Sequence, residues 1–163
     1  MYPAARGHRR RGACRCQARG ALLSLYLDTS VLVPYYAPEP LSERCEALIV
    51  SLARPVISDL CEVELTSALA RKVRRDELSR PNAERIKEAF HSHIEGSYYR
   101  LLPVERHHFR RARDWIAQFK SPLSSLDGLH VAVASALGIP LATADRTLAA
   151  CAGDFGLKVL FLS

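Results

Sequence analysis

No run of about 18 apolar residues occurs in the chain, so no transmembrane helix is expected. The N-terminus carries no apolar h-region, which argues against a secretory signal. Cysteine is sparse, odd in number and scattered over five positions, which is not a disulfide framework. No CxxC pair and no His/Cys pairing has zinc spacing, so a structural zinc module is excluded. Cys14 and Cys16 lie near the N-terminus, whereas Cys45, Cys61 and Cys151 fall in apolar-periodic segments. Buried thiols in a reducing compartment are the simpler account. Acid is missing from residues 1–20, which contain Arg6, Arg9, Arg10, Arg11, Arg15 and Arg19. Without those six, 17 basic residues face 17 acidic ones, so the whole net charge of +6 sits in the tail. An Arg run can bind phosphates. A disordered leader, a targeting peptide or translation from an upstream start codon reads the same. Residues 1–21 are read as a basic, disordered extension, and 22–163 as the folded domain.

What remains is a chain of 163 residues, 48% hydrophobic and 25% charged, enough for one globular domain with a real core. The apolar run from Leu22 to Leu27 is too short for a helix and reads as a buried strand ending at Asp28. Leu41, Cys45, Leu48, Ile49 and Leu52 have helical spacing. Pro55 to Ile57 is a second strand. Ser58 is placed to cap the next helix, which runs to about Arg75 with Leu65, Leu69 and Val73 on one stripe. Ile86, Phe90 and Ile94 mark another helix, and Tyr98 to Val104 returns to strand character. Phe109, Ala112, Trp115, Ile116 and Phe119 mark a further helix. After the break at Pro122, Ser124 and Ser125, a helix from about Leu126 to Leu137 stops at Gly138 and Pro140. Leu141 to Thr143 is a strand before Asp145, and Leu157 to Leu162 is the last. Short apolar strands alternating with amphipathic helices imply an α/β fold whose parallel sheet is covered on both faces. No internal repeat or low-complexity block appears.

Ligand sites in such sheets lie beyond the carboxyl ends of the strands. Asp28 and Asp145 each sit just past a strand. Glu64 lies near the second turn of the helix leaving strand two. Asp127 lies in the first turn of a helix that must run antiparallel to the next strand, so its start returns to the same rim. Two carboxylates about 4 Å apart repel by roughly 4 kcal/mol at an effective dielectric of 20, so such a gathering needs shared protons or a cation. An all-oxygen acidic site suits Mg²⁺ or Mn²⁺, and that chemistry serves phosphodiester hydrolysis. Each acid alone is more often a turn or cap residue. Glu62 competes with Glu64: it shares the stripe of Leu65 and Leu69, while Glu64 aligns with Leu60 and Ala68. Arg106, His107, His108, Arg110, Arg111 and Arg113 read as a solvated helix face before a phosphate-binding one. His130 is close enough in sequence to touch Asp127, but packing is its simpler role. Tyr35 and Tyr36 could stack on bases, and Arg146 could balance the acidic rim.

Four segments resemble one family. LYLDTSVLV (25–33) resembles the opening strand of PIN domains, and ELTSALARKV (64–73) their second acidic segment, favouring Glu64 over Glu62. LDGLHVAVA (126–134) resembles the third, and LATAD (141–145) with GLKV (156–159) the fourth acid and final strand. The resemblance spans about residues 24–162 and is nearest to the VapC-type toxins of toxin–antitoxin pairs. It implies a three-layer α/β/α sandwich with a central parallel sheet of about five strands. It also implies a homodimer in the cytoplasm, an Mg²⁺-dependent endoribonuclease (Mn²⁺ as substitute) acting on RNA, and neutralisation by a VapB-like antitoxin. By position, Asp28, Asp127 and Asp145 would hold the metal, Glu64 would orient or deprotonate water, and Ser30 and Thr143 would be hydroxyls beside the site. The Arg-rich extension departs from the family pattern. An interaction module of the same fold that cuts no RNA, and a nuclease of RNA maturation, are the alternatives. A phosphatase of the aspartyl-phosphate type would want an acid where Ser30 stands.

Overall fold

The computed structural model describes residues 24–163, so the proposed extension at 1–21 lies outside the described residues, as do Cys14 and Cys16. Five short strands, β1 (Tyr26–Leu27), β2 (Val56–Ser58), β3 (Arg100–Leu102), β4 (Leu141–Thr143) and β5 (Val159–Phe161), form one sheet. Every pairing is parallel, and the order is β3-β2-β1-β4-β5. Tyr26 stands opposite Val56 on one side and Leu141 on the other, which makes β1 the centre. Seven helices accompany them among the described residues: α1 (Thr29–Tyr36), α2 (Ser42–Ser51), α3 (Asp59–Arg74), α4 (Arg80–Glu95), α5 (Arg106–Ile116), α6 (Ser125–Leu137) and α7 (Arg146–Asp154).

The strands read as continuous apolar runs because the central ones are buried on both faces. Alternate residues feed opposite layers. Leu25 and Leu27 pack with Val31, Ile49, Leu65 and Phe90. Tyr26 enters the other layer with Val131, Val133, Leu141 and Leu148. The result is the expected three-layer α/β/α sandwich. The chain steps outward from β1 to β3, then returns across β1 to build β4 and β5. Strand order therefore reverses between β1 and β4, where open parallel sheets form a crevice beyond their carboxyl ends.

Two local outcomes differ from the sequence expectation. Of the strand expected at Leu22–Leu27, Leu22 and Leu23 lie outside the described residues and the described part is confined to Tyr26–Leu27; a helix, α1, follows it at once. Thr29, Val31, Leu32, Val33 and Pro34 are all buried, so α1 shows no apolar stripe to betray its period. Asp28 caps it by accepting the Ser30 N–H. Tyr36 consequently points into the core, its hydroxyl 2.6 Å from His93 Nδ1 and 2.9 Å from Tyr99 Oη, and is no stacking platform for bases. Ser58 does stand at the N-cap of α3, but its side chain makes no cap bond there.

α6 follows the expected course. Ser124 accepts the Asp127 N–H, and Gly138 takes the left-handed conformation (φ 65°) that ends the helix. At Gly128 an added Cβ would come within 3.2 Å of Ala112 Cβ, so glycine is what lets α5 lie close against the start of α6. Cys45, Cys61 and Cys151 are buried free thiols. Among the described residues no helix is long and apolar enough to cross a membrane.

Candidate active site

Asp28 leaves the end of β1 almost fully buried, at 5% exposure. Its Oδ1 accepts the Ser30 N–H at 2.8 Å, and its Oδ2 accepts the Ser30 hydroxyl at 2.6 Å and the Thr143 hydroxyl. The same two hydroxyl oxygens accept from the next turn of chain. Ser30 Oγ takes the Ala144 N–H at 2.8 Å, and Thr143 Oγ1 takes the Asp145 N–H at 2.9 Å. Ser30 and Thr143 thus join the end of β1 to the end of β4 and aim their protons at one carboxylate.

Asp145 caps α7 through Oδ1, which accepts the Leu148 N–H at 2.9 Å, and remains exposed at the rim. Asp127, in the first turn of α6, uses its N–H on Ser124 Oγ at 3.3 Å. Its carboxylate has no protein partner among the described residues.

Glu64 on α3 is held at one oxygen. Oε2 accepts from Thr29 Oγ1 and lies 2.6 Å from His130 Nε2. Burial pushes its pKa up, but the bond to His130, its charge and the Thr29 hydroxyl outweigh burial, and the net shift is downward. For His130, burial disfavours the imidazolium. The Glu64 bond with the charges of Asp28, Glu64 and Asp127 prevails, and its pKa is raised.

These acids share one cavity. Asp28, Glu64, Asp127 and Asp145 all line a groove of about 840 Å³ over the β1/β4 crevice. Glu62 does not line it, so the choice between the two glutamates falls on Glu64. At its other end the groove meets Arg71 and Lys72 of α3 and Arg75 just past its end. Lys72 is paired with Glu39 at 2.6 Å, and Arg75 reaches Glu77 at 4.0 Å. Arg71 has no carboxylate partner among the described residues.

The carboxylates offer only oxygen, and no Cys or His lines the groove, which suits a hard divalent cation over zinc. Among the described residues no three Asp, Glu, His or Cys side chains converge closely enough to cage an ion directly.

Thr29 and Tyr26 carry no signal in the sequence, and His130, read there as a packing residue able to touch Asp127, meets Glu64 of another helix through Nε2. No sequence spacing relates residues 66 positions apart. The other tempting side chains find local work. His108 Nδ1 accepts the Glu105 N–H at 3.0 Å in the capping box of α5. Arg146 lies over the Phe161 ring and does not line the groove.

A family model described as PIN domain matches residues 25–154, a stretch that contains all four acids. Several solved structures share the fold. VapC20 of Mycobacterium tuberculosis, described as a sarcin-ricin loop cleaving toxin, superposes with a TM-score of 0.66. It is 18% identical over 78% of this chain and 94% of its own. FitAcB from Neisseria gonorrhoeae gives 0.60 at 23% identity, over 85% and 96%. DNA-bound VapBC from Salmonella typhimurium gives 0.61 at 16% identity, over 85% and 98%. Curated proteins contain no match to the chain.

Proposed function

The chain belongs to the PIN-domain family, and from that premise we propose that it is a metal-dependent endoribonuclease, the toxin of a type II toxin–antitoxin pair neutralised by a VapB-like antitoxin. The observation that carries this reading is the convergence of Asp28, Glu64, Asp127 and Asp145, from four separated segments, on one groove at the reversal of strand order. The toxin assignment draws support from neighbours in fold that include a sarcin-ricin loop cleaving toxin and a VapBC complex. In keeping with that assignment, the protein acts in the cytoplasm as a homodimer.

In this mechanism Asp28, Asp127 and Asp145 would hold Mg²⁺, with Mn²⁺ as a substitute. Such an ion would supply Lewis acidity for phosphodiester hydrolysis. Ser30 and Thr143 both direct their hydroxyl protons to Oδ2 of Asp28 and so fix the orientation of its carboxylate. Glu64 orients the attacking water through Oε1, the oxygen that no protein group occupies among the described residues, and takes its proton. Arg71, two turns along α3 from Glu64 and about 10.5 Å away along the axis, offers a cation to a neighbouring phosphate of the RNA.

The test is cleavage of RNA by purified protein with Mg²⁺ or Mn²⁺, and with EDTA. Asp28→Asn should keep the circular dichroism of the wild type and lose cleavage. A variant that cuts as fast as the wild type sinks the reading.

A further inference from the structure

We propose that His130 is a positioning residue that sets the Glu64 carboxylate, and that Tyr26 and Ser58 set His130 in turn. The proposal rests on the nuclease reading above for its kinetic readout, and on the geometry alone for its spectroscopic one.

His130 sits inside α6 at 1% exposure, between residues that are themselves buried. A buried imidazole is costly unless its nitrogens are satisfied. Here both are. Nε2 lies 2.6 Å from Glu64 Oε2, and Nδ1 lies 2.8 Å from the Tyr26 hydroxyl, which in turn lies 2.7 Å from Ser58 Oγ. The string crosses from β2 through β1 to α6 and ends on α3, so it ties the centre of the sheet to one carboxylate oxygen.

The directions of these bonds follow from what each end can do. An ionised Glu64 can only accept, so Nε2 carries a proton whether the ring is neutral or charged. With a neutral ring, Nδ1 accepts from Tyr26, and the Tyr26 oxygen accepts from Ser58. Every donor then has an acceptor, in one direction from Ser58 to Glu64.

Three features go beyond what packing requires. Ser58 occupies an N-cap, where serine usually bonds the helix N-terminus, yet it makes no cap bond and its hydroxyl is turned to Tyr26. Tyr26 is fully buried in the central strand, where phenylalanine would supply the same apolar ring; the hydroxyl is spent on His130. Both donors to Glu64, His130 and Thr29, converge on Oε2. Two bonds on one oxygen fix the plane of the carboxylate and leave Oε1 as the lone-pair oxygen for the groove. Catalysis by a base depends on such placement.

RNA cleavage and ring nitrogen spectra decide the proposal. Folded variants His130→Asn, His130→Gln and Tyr26→Phe are compared with the wild type. Gln reaches the position of Nε2 and keeps a donor for Glu64; Asn does not reach it. Loss of an outer hydrogen-bond partner of this kind costs about 10–100-fold, so His130→Asn should lower kcat by that factor while KM stays unchanged. His130→Gln should regain much of the loss, and Tyr26→Phe should fall between it and the wild type. A residue that only fills space would affect Asn and Gln alike. Independently, ¹⁵N NMR of metal-free protein should show a His130 ring N–H that exchanges slowly with water in the wild type and rapidly in Glu64→Ala. Should the wild type cut no RNA with either metal, the nuclease reading fails and the spectra alone judge the positioning. Equal kcat for the Asn and Gln variants, or equal exchange with and without Glu64, overturns the proposal.

Discussion

The Ser30 hydroxyl donates to Asp28 Oδ2 at 2.6 Å while accepting the N–H of Ala144 at 2.8 Å, so one oxygen joins the carboxylate of β1 to the turn after β4. Ser30→Ala removes a hydrogen bond to a charged group and strands a backbone donor. Bonds of that type are worth about 1.5–3 kcal/mol. A loss of that size should appear in urea unfolding, with the slope unchanged and part of the loss recovered in Ser30→Thr. A variant as stable as the wild type would show that water replaces the hydroxyl at no cost.

Metal binding is testable without RNA. A cation that binds only the folded state should stabilise metal-free protein, by about 2.7 kcal/mol at a hundredfold excess over Kd. The rise in Tm on adding Mg²⁺ should be lost in Asp28→Asn and in Asp127→Asn. It should persist in Glu62→Gln, whose side chain does not line the groove. An undiminished rise in Asp28→Asn removes Asp28 from the metal site.

The Glu64–His130 pair gives stability a pH window. The Glu64 pKa lies below its ordinary 4.5, so its contribution is present above that value and fades as pH falls through the lowered one. The His130 pKa lies above its ordinary 6.5, so its contribution is complete below that value and fades as pH rises through the raised one. The stability difference between wild type and Glu64→Ala, measured in EDTA, should be greatest between pH 4.5 and 6.5. A difference that grows steadily up to pH 9 contradicts the assignment.

Arg71 lines the groove without a carboxylate partner among the described residues, whereas Lys72 is bound to Glu39. Single-stranded nucleic acid binding loses about 0.7 in the slope of log K against log salt for each phosphate contact removed. Arg71→Ala in an Asp28→Asn background should flatten the slope for single-stranded RNA by that amount, and Lys72→Ala by less. Identical slopes for Arg71→Ala and its parent would place the RNA elsewhere.

Much of the frame was legible before any coordinates. β4 falls at Leu141–Thr143 as expected, and the expected stop of α6 at Gly138 is realised in a left-handed cap. These succeed because strand runs, caps and breakers are local chemistry. α1 escaped because five of its residues are buried and its apolar run carries no period. Ser58 was placed at the right cap, but its hydroxyl went to a residue 32 positions away.

What the residue order determined alone was a set of strands and helices, the acids at their ends and the family motifs around them. Those depend on neighbours within a few turns of chain. The motif favoured Glu64 over Glu62, but periodicity did not; the packed sheet put Glu64 on the groove, and it alone decided that His130 meets Glu64. Residues two apart on a helix point about 200° from each other, so the roll of α3 against the sheet puts Glu64 and not Glu62 on the groove. The partner of His130 is set by which helix α6 is laid beside, a matter of sheet order and not of sequence distance.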